Sequence, residues 1–419
     1  MRLKHLAVAL VASVPLVLPV APAGAAENVD CYEYAAQDPP GEADAAHVPY
    51  DLLGVPEAHE LFDRRDRTPG AGIRVAVLDS GVTPQASGLE VAEATNLADS
   101  RELVDPHGTI VAGLIAGDRR DDGRLTGVAP GAEIVDVRVY DQADPQDGEV
   151  GVETSRVVAG LEWVGREARR LDIRIVNVSL AVARTTALER AVEALRRKDV
   201  IVVAATGNRP AEGDELFAEY GERAPGQDAL QDVHPAGLDD VLAVNATAGG
   251  AFVDGTPVDP LDSVLPNSMT DVAVPTAGGV SHALNGGTCV VTGVATSWAA
   301  AEVSGLVALL WSWFPTESDE QILARLVETA DGTTAGPTTL TGAGVVQPVE
   351  AMTRELTIGR DGTIERAEPE ASRIPRATAP DPAVDPLELA RDRAVWWGLL
   401  GGAVLVLALL LRPILARRR

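Results

Sequence analysis

Positive charge is scarce in this chain. Lysine and arginine together number 35 against 62 Asp and Glu, a formal net charge of −27. That deficit excludes the basic face nucleic-acid binding needs, and the acidic surplus suits solubility outside the cell. Cysteine is scarcer still, with only Cys31 and Cys289, so at most one internal disulfide can form. No cluster of His, Cys, Asp or Glu has metal-ligand spacing, and neither a metal nor another cofactor is expected. No internal repeat is present, so no repeat architecture is expected.

The two ends carry what the middle lacks, long apolar runs. Residues 1–25 open with Arg2 and Lys4, continue apolar over 6–20 and end in Ala23-Gly24-Ala25. This is the layout of a secretory signal peptide with its small-residue cleavage site. Its removal takes two cations and no acids, leaving 33 Lys+Arg (35 − 2) against 62 Asp+Glu, a net of −29. Residues 394–411 are uncharged for 18 positions, enough to cross a bilayer core of about 30 Å. Trp396 and Trp397 stand at its outer edge, and Arg412, Arg417, Arg418 and Arg419 follow it. The positive-inside rule then places the tail 412–419 in the cytoplasm. A single-pass type I plasma-membrane protein is expected, with everything between the two segments outside. In that oxidising compartment Cys31 and Cys289 read as one disulfide, although the sequence alone does not prove the pairing.

Residues 26–69 are an acidic extension with Pro39-Pro40, expected to carry little structure beyond a short helix over 49–62. A removable autoinhibitory propeptide and a permanent brace are both open; shortness and Cys31 favour the brace. From 70 to 353 short Val-, Ile- and Ala-rich runs, at 73–78, 173–180, 200–206 and 241–244, read as buried parallel strands. Helical stretches at 109–116 and 185–197 lie between them. Alternating strands and helices predict one α/β domain with a mostly parallel central sheet flanked by helices. Residues 354–393 are Pro- and charge-rich and read as an extended linker.

Three segments each set one reactive side chain beside small residues. Asp79 closes the run 73–78 and precedes Ser80-Gly81-Val82, at a strand end where α/β sheets build sites. Of six histidines, only His107 leads from a turn, Asp105-Pro106, into a helix rich in small apolar residues. There Gly108, Ala112 and Gly113 would permit close packing. Ser297 opens the buried helix that follows Thr296, where backbone N–H groups and the helix dipole favour an anion. Taken singly, these residues read as a turn or cap aspartate, a structural histidine and an N-cap serine. Together they satisfy acyl-transfer chemistry, in which a serine needs a base and the base needs an orienting carboxylate.

In chain order, DSGV (79–82), HGTIVAG (107–113), NVSLA (177–181), AATGN (204–208) and TSWAA (296–300) resemble five landmarks of the subtilisin-like (S8) serine proteases. Their triad also runs Asp, His, Ser. HPAGLDDVLAVNA (234–246) and DVAVP (271–275) are similar to two further segments of that family. The signal peptide, the short cysteine-bearing extension, the closing GAGVVQPVEAMT (342–353), the linker and the C-terminal span together resemble the mycosins. Those are membrane-anchored subtilisins associated with type VII secretion in actinobacteria.

The resemblance implies a three-layer subtilisin-like fold and a serine endopeptidase working through an acyl-enzyme. It implies Ser297 as nucleophile, His107 as base and Asp79 as its orienting carboxylate. Asn208 and the Ser297 backbone N–H would form the oxyanion hole. Ser179, Leu180 and Ala181, with Ala205, Thr206 and Gly207, would hold an extended polypeptide substrate and wall its first pocket. It also implies association with type VII secretion machinery, with a catalytically idle structural role as the alternative.

Departures from the family pattern are few. Ala295 replaces a usual Gly and would cost about 1–2 kcal/mol if a positive φ were required. Ala301 replaces a Pro expected in the helix's first turn, Ala181 replaces a Gly beside the pocket, and Ile110 replaces a second His off the triad. Trp298 follows the nucleophile on the leaving-group side. The acidic insertion 209–232 is expected to border the cleft.

Overall fold

The computed structural model describes residues 28–86, 88–143, 151–210, 217–253, 255–332, 336–365 and 387–416. The expected signal peptide 1–25, positions 211–216 of the acidic insertion, 366–386 of the expected linker and 417–419 of the expected tail lie outside the described residues. The chain divides into two units after Glu365.

The first unit carries eleven described strands. These are β1 (Arg74–Asp79), β2 (Val91–Asn96), β3 (Glu133–Arg138), β4 (Ile173–Val178), β5 (Ile201–Ala205) and β6 (Leu242–Thr247), then β7 (Phe252–Val253), β8 (Thr256–Pro257), β9 (Val272–Pro275), β10 (Gly279–His282) and β11 (Thr288–Val291). Seven of them form one sheet in the order β2-β3-β1-β4-β5-β6-β9, and every neighbouring pair is parallel. The remaining four make two small antiparallel pairs, β7-β8 and β10-β11.

Both faces of the sheet are covered, which is why its central strands read as unbroken apolar runs. Val75 and Val77 of β1 point into a core shared with α3 (His107–Ala116) and α6 (Thr296–Trp313). Ala76 and Leu78 point into the opposite core, under α4 (Thr154–Leu171) and α5 (Thr186–Arg196). β5 divides the same way, with Ile201, Val203 and Ala205 on one side and Val202 and Ala204 on the other. Helix α6 is buried along its whole length, as an all-round apolar helix must be. The expected α/β fold is thus present.

The chain leaves β1 for β2 and β3 on one side, then returns to β4 on the other. A crevice outside the carboxyl ends of strands at such a reversal is where open α/β sheets bind ligands. Asp79 and Ser179 stand at that edge.

The extension is more ordered than its polar composition suggests. It forms a 3-10 turn at Cys31–Glu33, then α1 (Val48–Leu53) and α2 (Val55–Asp63), which meet at Gly54 with φ 70°. The single helix expected over 49–62 is therefore two. Tyr50, Leu53, Val55, Ala58 and Phe62 are buried in the core that holds α6, and that burial orders the segment. Cys31 and Cys289 are joined across a sequence separation of 258. Beside them, Asp30 bridges Val290 in parallel, and Arg120 donates to the carbonyls of Ala43 and Ala45, each at 2.6 Å.

After α6, α7 (Asp319–Glu328) and α8 (Pro348–Thr353) close this unit. The first residues of the expected linker are folded onto it. Gln321 Nε2 donates to Ile358 O at 2.8 Å and Ser318 Oγ to Arg360 O at 3.0 Å, so the unit runs on to Glu365. The second unit's described part includes one helix, α9 (Glu388–Ala416), apolar and long enough to cross a membrane over Leu389–Arg412.

Candidate active site

Asp79 is the last residue of β1, His107 the first of α3 and Ser297 the second of α6. α3 reaches β1 closely because Gly108 has no side chain: a Cβ there would lie 2.6 Å from Gly81 O and 3.1 Å from Asp79 Cβ. Farther along, a Cβ on Gly113 would meet Ser281 Oγ at 2.3 Å. Small residues in this helix serve the close approach expected of them.

That approach sets His107 Nδ1 at 2.8 Å from Asp79 Oδ1 and 3.0 Å from Oδ2. The histidine is pinned at its backbone too, where His107 N donates to Asp105 Oδ1 at 2.9 Å. Ser80 Oγ donates to Asp105 O at 3.0 Å and accepts from Gly108 N at 2.9 Å. Asp79 is fully buried. Burial pulls the His107 pKa down, but the Asp79 charge and hydrogen bond, with Asp105 behind them, outweigh it and leave it raised. A base of this kind stays charged to higher pH than a free imidazole.

Ser297 directly precedes Trp298 on α6. The Trp298 ring lies 4.9 Å from the His107 ring, centroid to centroid, and Ser179 Oγ donates to Ser297 O at 2.8 Å. Asn208 Oδ1 accepts from both Thr296 N (2.8 Å) and Thr296 Oγ1 (3.0 Å). Two donors on the oxygen identify which end of the amide is which. The residue itself is exposed.

Ser179, Leu180 and Ala181 continue past β4, while Ala205 ends β5 and Thr206 and Gly207 follow it. Gly207 has φ 110°, and a Cβ there would meet Val233 Cγ2 at 2.9 Å, so this turn requires glycine. Ala181 packs against Tyr220, Ala229, Val233 and Leu265, with Phe217 alongside. The described part of the insertion thus lies against the strand expected to hold substrate. Ala295 has φ −147° and ψ 143°. Any residue adopts this extended backbone, so the anticipated strain is absent. Ala301 is the sixth residue of α6, past the first turn. Where a proline there would remove a helix donor, alanine keeps it.

Residues 70–344 match the Subtilase family, peptidase S8. The chain belongs to that family. Mycosin-4 of Mycobacterium tuberculosis (strain ATCC 25618 / H37Rv) is 31% identical over 387 residues, covering 84% of this subtilase and 79% of that protein. Subtilisin BL of Lederbergia lenta is 32% identical over 323 residues, covering 74% and 100%. A solved structure of an intact ESX-5 inner membrane complex contains a chain 26% identical, with TM-score 0.58, covering 91% of this chain and 93% of its own. The subtilase is a serine endopeptidase by family, related to the mycosins of type VII secretion.

Sequence reasoning missed several residues around the site. Tyr140 donates to Asp79 Oδ1 at 3.0 Å, and Tyr32 of the extension lies 6.5 Å from Trp298 between ring centroids. Asp136 is buried near Asp79, where burial pushes its pKa up to about 7. Only Ser80 and Asp105 carried a signal, their adjacency to Asp79 and His107.

Proposed function

We propose that this subtilase is a membrane-anchored serine endopeptidase acting outside the plasma membrane, with Asp79, His107 and Ser297 as its triad. The observation that carries this reading is the pair formed by fully buried Asp79 and partly exposed His107 at 2.8 Å, with a serine at the N-terminus of α6. His107 Nε2 takes the Ser297 proton as Oγ attacks the scissile carbonyl, then returns it to the leaving amine. Asp79 holds Nδ1–H, fixes the tautomer and stabilises the imidazolium. The Asn208 amide and the Ser297 backbone N–H receive the oxyanion. Water then hydrolyses the acyl-enzyme by the same proton path. Residues 179–181 and 205–207 take the substrate as an added strand.

In this reading residues 1–25 are the signal peptide, 26–69 a permanent brace and 70–353 the peptidase domain. Residues 354–393 link it to the span 394–411, and the basic tail 412–419 is cytoplasmic. Likeness to Mycosin-4 and to a chain of the ESX-5 inner membrane complex supports a place beside type VII secretion machinery. That last likeness also favours a second reading, in which the fold serves a secretion complex structurally and catalysis is dispensable.

The test is a fluorophosphonate serine-hydrolase probe on the full-length protein in detergent. The wild type is expected to take label and Ser297→Ala to take none. A folded wild type that remains unlabelled would refute the catalytic reading. Secretion restored by Ser297→Ala would show that the structural role suffices.

A further inference from the structure

The Asp79 carboxylate is held by more than its histidine. Its Oδ1 accepts from Ser80 N at 2.8 Å, from His107 Nδ1 at 2.8 Å and from Tyr140 Oη at 3.0 Å. The first two donors belong to the turn after β1 and to α3. The third comes from the neighbouring strand. β3 pairs with β1 so that Arg138 lies opposite Asp79, and Tyr140 follows two residues on, with its side chain buried among Leu78, Val137 and Val139. A carboxylate only accepts and a phenol has a single proton, so Tyr140 is the donor. An aliphatic residue or phenylalanine could fill this apolar volume. What tyrosine adds is the hydroxyl, and Asp79 is the partner it has.

We propose that Tyr140 is a positioning residue of this subtilase, clamping Asp79 Oδ1 so that one fixed carboxylate edge faces His107 Nδ1. The inference rests on reading Asp79, His107 and Ser297 as the triad. It follows from the division of contacts on the carboxylate, whose Oδ1 takes the tyrosine while Oδ2 is engaged by His107 alone among the described residues. The clamp fixes the angle from which Asp79 meets the imidazole. It also shares the carboxylate's charge, which moderates the pull on the imidazolium.

Asp79 on β1 and Asp105 ahead of α3 act on His107 directly, while Asp136 and Arg138 on β3, Tyr140 just past it and Tyr32 of the extension surround Asp79. Burial first, then the charges of Asp79 and Asp105, hold the Tyr140 hydroxyl protonated well above the usual phenol range. It therefore remains a donor throughout the working range. Burial pushes the Asp136 pKa up to about 7, where it overlaps the titration of an imidazole.

The experiment measures fluorophosphonate labelling rates of the full-length protein across about pH 5 to 9. The variants are Tyr140→Phe and Tyr140→Leu, each also made with Asp136→Asn to remove the overlapping titration. Losing the donor leaves Asp79 a stronger negative charge beside His107, so the imidazolium persists to higher pH. Both variants are expected to move the acid limb of the profile up by about half a pH unit and to lower the plateau about three- to tenfold. The Phe variant should melt within a few degrees of the wild type. A Phe variant with the wild-type limb and plateau would overturn the proposal, as would a loss confined to the Leu variant, which would mark Tyr140 as packing only. A wild type that takes no label would remove the triad reading and this inference with it.

Discussion

Glu302 offers a sharp test of how this core is built. It lies on α6, is fully buried, and has neither carboxyl oxygen hydrogen-bonded among the described residues. Burial pushes its pKa well above the carboxylate range, so it sits in the core as a neutral acid without a partner. Such a group costs about 1–3 kcal/mol by the usual mutational measure. Methionine has a similar length and no polar hydrogen to satisfy. Glu302→Met is therefore expected to stabilise the fold by that amount, or about 2–6 °C at roughly 2 °C per kcal/mol for a domain of this size.

The pH dependence has a definite sign. Because the folded-state pKa is raised, the folded and unfolded chains both carry the proton below the ordinary carboxylate range, and nothing is lost there. As pH rises from about 4 to 7 the unfolded chain releases the proton and the folded chain keeps it, so wild-type stability falls. The Met variant does not titrate, and its advantage should widen over that interval. Thermal unfolding of the full-length protein, followed through the α6 tryptophans Trp298, Trp311 and Trp313, reads both effects. A variant that melts at or below the wild type at neutral pH, or an advantage that shrinks as pH rises, would refute the reasoning.

Asn208→Ala should slow fluorophosphonate labelling by about 10²–10³. The figure is the one seen for the oxyanion asparagine of subtilisin, a relative of this chain. A rate within twofold of wild type would remove Asn208 from the oxyanion hole. Replacing Cys31 and Cys289 together by serine opens a loop of 258 residues' separation, and should destabilise the folded unit by about 2–5 kcal/mol. A melting temperature unchanged by that replacement would deny the extension its bracing role.

The parts of the fold that were legible in sequence are those whose signal is local. β1, β4, β5 and β6 are buried on both faces and so read as apolar runs. β2 was not read because it is an edge strand of alternating exposure. β3 was not read because Asp136 and Arg138 interrupt it, although both are buried. Of the extension only a helix over 49–62 was legible, because the rest is polar and acidic. Its buried apolar residues, Tyr50, Leu53, Val55, Ala58 and Phe62 among them, find their core only against α6, more than two hundred residues away in sequence. Ala295 looked like a cost because the family glycine suggested a positive φ, which only the backbone itself could decide.

By itself, then, the sequence determined the family, the order of Asp79, His107 and Ser297, the two cysteines available to pair, and an apolar segment long enough to span a bilayer. The motifs and the apolar segment depend on residue types at short spacing, where neighbours in the chain are neighbours in space, and the rest is order and count along the chain. Only the tertiary structure decided that the extension packs into the main core, and that Thr296 takes the amide oxygen of Asn208. Only there does Tyr140 reach Asp79. Those contacts depend on strand register and on helices meeting across the sheet, and a shift of one residue would send each side chain to the other face.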